Sequence, residues 1–289
     1  MVQSGSATFA DPGDYEAAIG IGGASVSLVI NSNEPFKARL TWLKQRHLCL
    51  LTGREAVPRI ACVSLELNRA FVSFPASSSA TLIWGGVALQ FGDIVFHSPG
   101  ERAHQQSNRA GTWGIASLPS DQLAAYGRVL TGVDLISPPV SRILRPRPAT
   151  ISRLRRHHVS ASRLAETKPD ILAHEEVGRA EEQEYIHALV NCLTAEDAHG
   201  NLSIKRYQED IALRFDDALT NRVNRPATVR EACAAIGVTE QDLRLCCIEV
   251  LGVSPSRYIQ LRRTNAERGN FNGLMPSRYL KGYIARHRH

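Results

Sequence analysis

Apolar and polar positions alternate through the first part of the chain. In "FKARLTW", Phe36, Ala38, Leu40 and Trp42 fall on one face of an extended segment. "ACVSLEL" repeats the pattern with Ala61, Val63, Leu65 and Leu67. The short apolar runs "AFVSF", "TLIWGG", "VALQFGDIVF" and "TWGIASL" follow, separated by Gly, Pro, Ser and Asn. Many short strands at this spacing predict a β-sandwich or barrel over roughly the first 136 residues.

The period then changes. "ISPPVSRILRPRP" places four prolines between Pro138 and Pro148, which predicts a linker without a regular element. Beyond it the apolar spacing is three to four. Ile186, Leu189, Val190 and Leu193 form one helical stripe. Ile204, Tyr207, Ile211, Phe215 and Leu219 form a second, with Ser203 as a candidate N-cap. Such stripes are core surfaces of one chain or a seam between two copies. Ser141 to Arg163 carries seven arginines and no acid, read as linker and a solvated helix face.

The most informative pattern is "ATVREACAAIGVTEQDLRLCCIEVLGVSPSRY". Thr228 precedes Glu231 by three, and Thr239 precedes Asp242 by three. Each pair is a capping-box signature that opens a helix. Gly237 lies in the turn between them. Val229, Ala232, Cys233 and Ile236 face inward from the first helix. Leu243, Cys246, Cys247 and Val250 do so from the second, with Val238 plugging the turn. This is a helix-turn-helix pattern, in which the second helix enters the major groove by its N-terminal residues. Glu240, Gln241, Arg244, Leu245 and Ile248 are left pointing outward. Gln can read adenine and Arg guanine, while Thr239 at the helix start suits a phosphate. Gly252 ends this helix, and Ser254 with Pro255 opens another carrying Arg257, Arg262 and Arg263 as candidate phosphate clamps. The competing reading is a hairpin that merely packs.

Charge changes the picture in one place. The chain of 289 residues has a formal net charge of +6. From Asn221 to His289 there are 12 Lys/Arg against 5 Asp/Glu, a net of +7, which leaves the remainder at −1. One basic end on a neutral chain suits a polyanionic partner. No apolar run approaches the ~18 residues of a membrane span, and the N-terminus lacks a signal-peptide pattern, so a cytoplasmic protein without a membrane partner is expected. Six cysteines without a CxxC or a regular framework predict reduced, buried thiols.

Thr228 to Arg268, including "LGVSPSRY", resembles the DNA-binding segment of AraC-type regulators. The resemblance implies transcription regulation through double-stranded DNA, with Gln241, Arg244 and Leu245 at base-facing positions. Leu245 stands where a basic residue is common. The layout also resembles the family's: a cupin-like β-domain that senses an effector or partner, then a helical connector, then the reading head. The implied fold class is α+β, a cupin-like β-barrel or jelly roll followed by an all-α helix-turn-helix region. The family has two helix-turn-helix subdomains, each closed by a G-x-x-P-x-x-Y segment about fifty residues apart. Here "GVSPSRYI" from Gly252 is repeated as "GLMPSRYL" from Gly273, only 21 residues on. Asn265 to Asn272 is too short for two helices of two or three turns each. The second copy therefore reads as the remnant of a subdomain whose body is missing. This should weaken specific binding, leave Tyr258, Ile259 and Leu261 less covered, and leave the chain end poorly ordered. A homodimer is expected to restore a second reading head.

"GDIVFHSPGERAHQQSN", Gly92 to Asn108, resembles the second cupin motif, with Gly92, Pro99, Gly100, His104 and Asn108. A cupin metal site needs an HxH pair on an earlier strand, and none occurs in this half; the chain's one HxH is His287–His289. No metal site, cofactor or enzymatic activity is expected. Trp84, His97, Arg102, His104 and Trp113 are the candidate contacts for a small-molecule effector. The expected organisation is a β-domain over 1–136, a linker over 137–148, a helical connector with dimerisation capacity over 149–220, a helix-turn-helix subdomain over 221–268 and the remnant over 269–289. Two rivals remain: an interaction protein that pairs with related regulators without productive DNA binding, and a metal-dependent cupin enzyme.

Overall fold

The computed structural model describes residues 2–194, 202–203, 206–220 and 228–272, the side chains of 202, 203 and 266–272 excepted. The chain is α+β. Its strands are β1 (Gln3–Phe9), β2 (Ala24–Ile30), β3 (Ala38–Lys44), β4 (Cys49–Glu55), β5 (Arg59–Leu65) and β6 (Arg69–Pro75). There follow β7 (Leu82–Trp84), β8 (Val87–Leu89), β9 (Ile94–Phe96), β10 (Arg102–Ser107), β11 (Gly111–Pro119), β12 (Arg142–Leu144) and β13 (Leu202–Ser203). They form two antiparallel sheets, one in the order β1-β3-β4-β11-β6-β9-β12-β13 and one in the order β2-β5-β10-β7-β8. The helices are α1 (Pro12–Ile19), α2 (Ser120–Thr131), α3 (Pro148–Thr167), α4 (Pro169–Ala173), α5 (Glu175–Leu193), α6 (Arg206–Thr220), α7 (Val229–Ile236), α8 (Glu240–Cys246) and α9 (Pro255–Asn272).

Strand alternation places the core as the sequence suggests. Ala38 and Leu40 of β3, Ala61, Val63 and Leu65 of β5, and Phe36 and Trp113 all pack between the sheets. Leu67 departs from the pattern at 76 % exposed, because β5 stops at Leu65 and the chain turns away.

The opposite face of each sheet carries helices. On the eight-stranded sheet, Leu50, Val72, Phe74, Ile94, Phe96, Ala116 and Leu118 meet Ile151 and Leu154 of α3 and Tyr185, Ile186, Leu189 and Val190 of α5. The first helical stripe is therefore intramolecular core rather than a seam between copies. On the five-stranded sheet, Val29 and Ile60 meet Ile211 and Phe215 of α6 and the apolar residues of α7 to α9.

Two local expectations give way. The proline-rich segment is not devoid of regular structure: β12 pairs with β9, and Ile143 is fully buried. Prolines 138, 139, 146 and 148 flank this strand, and Pro148 opens α3, so none costs a ladder bond. In the second stripe, Ile211 and Phe215 are buried but Tyr207 is 66 % exposed. A spacing of four in a helix of 3.6 residues per turn drifts about 40° per step, so residues twelve apart cannot share one face. Ile204 lies outside the described residues. Ser203 pairs with Arg142 in β13 and α6 begins at Arg206, so Ser203 is not its N-cap.

Candidate nucleic-acid interface

The hairpin α7–α8 is built by its caps. Thr228 Oγ1 accepts from the Glu231 amide at 3.2 Å, and the Glu231 carboxylate accepts from the Thr228 amide at 3.4 Å. Both halves of a capping box are thus present. Thr239 Oγ1 accepts from the Asp242 amide at 3.1 Å and donates to Asp242 Oδ2 at 2.7 Å, so here the acid binds the cap's hydroxyl. Gly237 sits at φ +70°, the left-handed conformation that closes α7 at little steric cost. Ala232, Cys233, Ile236, Leu243, Cys246, Cys247 and Val250 are all buried in one cluster, with Val229 and Val238 packed against it. All six cysteines of the chain are buried and unbridged.

This inward set leaves Thr239, Glu240, Gln241, Arg244, Leu245 and Ile248 exposed on the opposite side of α8. A five-residue π-helical turn, Cys247–Leu251, follows and ends at Gly252, φ +71°. Ser254 Oγ accepts from the Arg257 amide at 3.3 Å, and Pro255 opens α9. Arg257 and Arg263 are exposed.

Arg262 does not join them. Its Nε donates to Asp216 Oδ1 at 2.9 Å, its Nη2 to the same oxygen, and its Nη1 to Ser27 Oγ at 3.2 Å. Tyr258 OH also donates to Asp216 Oδ1, at 2.6 Å. Burial would lower the Arg262 pKa, but Tyr258 and Asp216 outweigh it and hold the guanidinium charged. In this arrangement Arg262 fastens α9 to α6 and to β2. An arginine at that position of an i, i+4 stripe with Tyr258 could have been read from the sequence as inward-facing. Tyr258, Ile259 and Leu261 are 0 %, 8 % and 5 % exposed, contrary to the expectation that they lack cover. The cover comes from Phe215 of α6 and from the β-domain.

The candidate effector residues divide by strand parity. Trp84 and Trp113 line a cavity of ≈ 40 Å³ between the sheets, together with Glu55, Arg59, Ser73 and Gln105. Arg59 Nε donates to Glu55 Oε2 at 3.0 Å, Arg59 Nη2 to Gln105 Oε1 at 2.5 Å, and Trp113 Nε1 to Glu55 Oε1 at 2.8 Å. Sequence reading missed this ion pair. Its two residues stand on inward positions of β4 and β5, where alternation could have flagged them. His97 lies behind this lining. It bonds Ser73 Oγ at 2.8 Å and Glu101 at 2.6 Å, with its ring 4.5 Å from that of Trp84.

Arg102 and His104 leave the group, because even-numbered residues of β10 face outward. His104 Nδ1 and its backbone amide both reach Glu209 Oε1 of α6 at 2.7 Å. Burial alone would lower the His104 pKa; Cys62 and Glu209 outweigh it and hold it up to about 9. Arg102 donates to both oxygens of Asp217 at 2.8 and 2.6 Å. Two positions beyond His104, Gln106 Nε2 donates to the Val250 carbonyl at 3.0 Å. At the sheet edge, the Asn265 amide accepts from the Ile30 N–H at 3.2 Å and donates to its carbonyl at 3.4 Å. β2 is an edge strand, and Asn265 occupies ladder positions that a neighbouring strand would fill. Nothing in composition or periodicity linked β10 to α6 and α8.

Among the described residues, α7 and α8 make one helical hairpin and α9 runs unbroken to Asn272. "GLMPSRYL" and the rest of 273–289 lie outside them, as does the expectation of a poorly ordered chain end. No described helix is long and apolar enough to cross a membrane.

No protein-family model and no curated protein sequence matches the chain. Solved structures similar to it include the AraC-like transcriptional activator CuxR, with 14% identity, TM-score 0.45, and coverage of 94% of this chain and 96% of that one. Wild-type ToxT of Vibrio cholerae, bound to an unsaturated fatty acid, has 12% identity, TM-score 0.31, and coverage of 75% and 96%. An RmlC-like cupin from Shewanella frigidimarina has 13% identity, TM-score 0.23, and coverage of 32% and 84%. At these identities and TM-scores the likenesses carry no functional weight of their own.

Proposed function

We propose that this chain is a sequence-specific DNA-binding transcription regulator of the AraC type, with α8 as its recognition helix and no enzymatic role. The observation that carries the reading is the α7–α8 hairpin. Its inward residues are committed to structure, while Gln241, Arg244 and Leu245 stay exposed along α8 and the cap Thr239 stays exposed at its start. Those positions are the ones a recognition helix offers to a major groove. The basic C-terminal segment and the motif resemblance of Thr228 to Arg268 support it.

In this reading Gln241 and Arg244 face bases, Thr239 with its amide faces a phosphate, and Arg257 and Arg263 flank the backbone. Arg262 would reach DNA only by leaving Asp216. A homodimer would supply a second reading head. A small-molecule effector would enter between the sheets beside Trp84 and Trp113. Pockets for such ligands are commonly ~300–1,000 Å³, so the ≈ 40 Å³ interior must open to admit one.

Selection of a random duplex library by the full chain at moderate salt tests the reading. A recovered motif should lose about 1–3 kcal/mol of discrimination at one base position in Arg244→Ala. Recovery of only salt-sensitive, sequence-blind binding would refute it. The protein would then be better described as a partner that pairs with related regulators without reading DNA.

A further inference from the structure

Cys62 and His104 are cross-strand partners on β5 and β10, both facing away from the sheet interior. α6 lies over them and brings Asp216. The Cys62 sulfur, one ring nitrogen of His104 and a carboxylate oxygen of Asp216 lie within 4.8 Å of one another, and all three residues are buried. His104 Nδ1 is committed to Glu209 Oε1, while Nε2 is buried without a hydrogen-bond partner. Glu209 Oε2 is buried and unpartnered as well. Asp216 uses Oδ1 for Tyr258 and Arg262. The guanidinium of Arg102 lies 3.9 Å from Oδ2 and also interacts with the Cys62 sulfur, while its hydrogen bonds to oxygen go to Asp217.

Buried polar atoms without partners are rare and costly, so two of them beside a thiol and a carboxylate need a physical reason. A thiol, an imidazole and a carboxylate form the mixed S, N, O donor set that suits zinc(II). The carboxylate on the far nitrogen is the arrangement that fixes the tautomer and orientation of a metal-binding histidine. At bond lengths of roughly 2.0–2.3 Å, tetrahedral donors sit about 3.5 Å apart, so side-chain rotations of about an ångström would close this cluster on an ion.

We propose that Cys62 as thiolate, His104 through deprotonated Nε2, and Asp216 form a binding site for a divalent zinc-class ion, with Glu209 orienting His104 and the thiol and imidazolium protons passing to solvent on binding. The site lies outside the sheet interior, where a cupin would hold a metal. It joins two strands of the β-domain to α6, whose Asp216 also accepts from Tyr258 and Arg262 of α9. Metal binding would pin the reading head to the β-domain. The regulatory consequence rests on the proposed DNA-binding function; the site itself does not.

Cobalt(II) titration of the chelator-stripped full chain tests the site without DNA. The expected result is one equivalent bound, with a thiolate-to-cobalt charge-transfer band that zinc(II) displaces. The band should vanish in Cys62→Ser and persist in Cys233→Ser and in the double variant His287→Gln/His289→Gln. Asp216→Asn should weaken cobalt binding about tenfold or more. X-ray absorption of the zinc-loaded, unmutated chain should show one sulfur at about 2.3 Å among nitrogen and oxygen ligands. No charge-transfer band, a band that survives Cys62→Ser, or a zinc shell with no sulfur or several would overturn the proposal. Since none of these readouts involves DNA, loss of the site and loss of the DNA-reading function are separable outcomes.

Discussion

The two sheets are covered by helices in different ways. The connector helices α3 and α5 sit on the eight-stranded sheet through a continuous apolar layer in which Leu154, Ile186, Leu189 and Val190 are fully buried. Polar contacts there include Glu182, which accepts from the amides of His47 and Leu48 at 2.7 and 2.9 Å, and Thr52, which bonds His158 at 2.8 Å. The head, together with α6, sits on the five-stranded sheet through Val29 and Ile60 and through hydrogen bonds and ion pairs made by Ser27, Arg102, His104 and Gln106. The buried histidines mark the same contrast. Burial pushes His158 of α3 down to about 4, whereas Cys62 and Glu209 hold His104 up to about 9. Apolar burial is roughly proportional to area and insensitive to salt, while charged and hydrogen-bonded contacts exchange readily for water. The seat that uses charged contacts should therefore respond to salt, and the apolar seat should not.

The largest effect should come from the apolar side. Leu189→Ala removes a fully buried side chain and should lower unfolding stability by about 2–5 kcal/mol, read from the denaturant midpoint. The loss should appear equally in probes of the β-domain and of α3–α5, because they share one core. Next is acid sensitivity. His158 is neutral in the fold, between Thr52 at 2.8 Å and Tyr185 at 3.0 Å, against Phe74. Its folded value of about 4 lies below the unfolded value near 6.5, so between these pH values the unfolded chain binds the extra proton. Its contribution is intact above pH ~6.5 and declines toward pH ~4, to a loss of about 3 kcal/mol. Stability–pH curves of the protein and of His158→Gln should diverge in that window; parallel curves would show that His158 does not titrate there.

Much of this was legible in the sequence, and the reason is locality. The β3 and β5 alternation, the α5 stripe and the Thr228 and Thr239 caps depend on residues at most a few positions apart. The hairpin that presents Gln241 and Arg244 was therefore readable. The docking of the head was not. Gln106 and Val250 are 144 positions apart, and His104 and Glu209 are 105 apart. Alternation along β10 does say that Arg102, His104 and Gln106 share a face opposite Ala103 and Gln105. It does not say what that face meets. That is why Arg102 and His104 read as effector contacts, and why Arg262 read as a phosphate clamp.

The comparison sharpens if the head can be loosened alone. Gln106→Ala leaves the Val250 carbonyl without its donor, and Asn265→Ala uncaps Ile30 at the sheet edge. Each should cost about 1 kcal/mol or somewhat more, which is near a tenfold rise in amide exchange across α7 and α8. α3 to α5 should exchange as before. If their amides accelerated equally, the head and the β-domain would be one cooperative unit, and the contrast between the two seats would fail.

The smallest effect is the most specific to charge. Arg102 and Asp217 form a two-pronged pair, but their side chains are 38 % and 50 % exposed. Exposed pairs are worth below about 1 kcal/mol and weaken as salt shortens the Debye length from about 30 Å at 0.01 M to about 10 Å at 0.1 M. Arg102→Ala should therefore raise α7–α8 exchange by less than about fivefold at low salt, and the difference should fade as salt is added. The Leu189→Ala destabilisation should keep its size over the same range, because no charge is involved. A salt-dependent seat beside a salt-independent one would mean that the polyanion the head is proposed to bind also competes with the contacts that dock it. If the head binds DNA as proposed, phosphates would compete with Asp216 for Arg262, the arginine that holds α9 to α6 and β2.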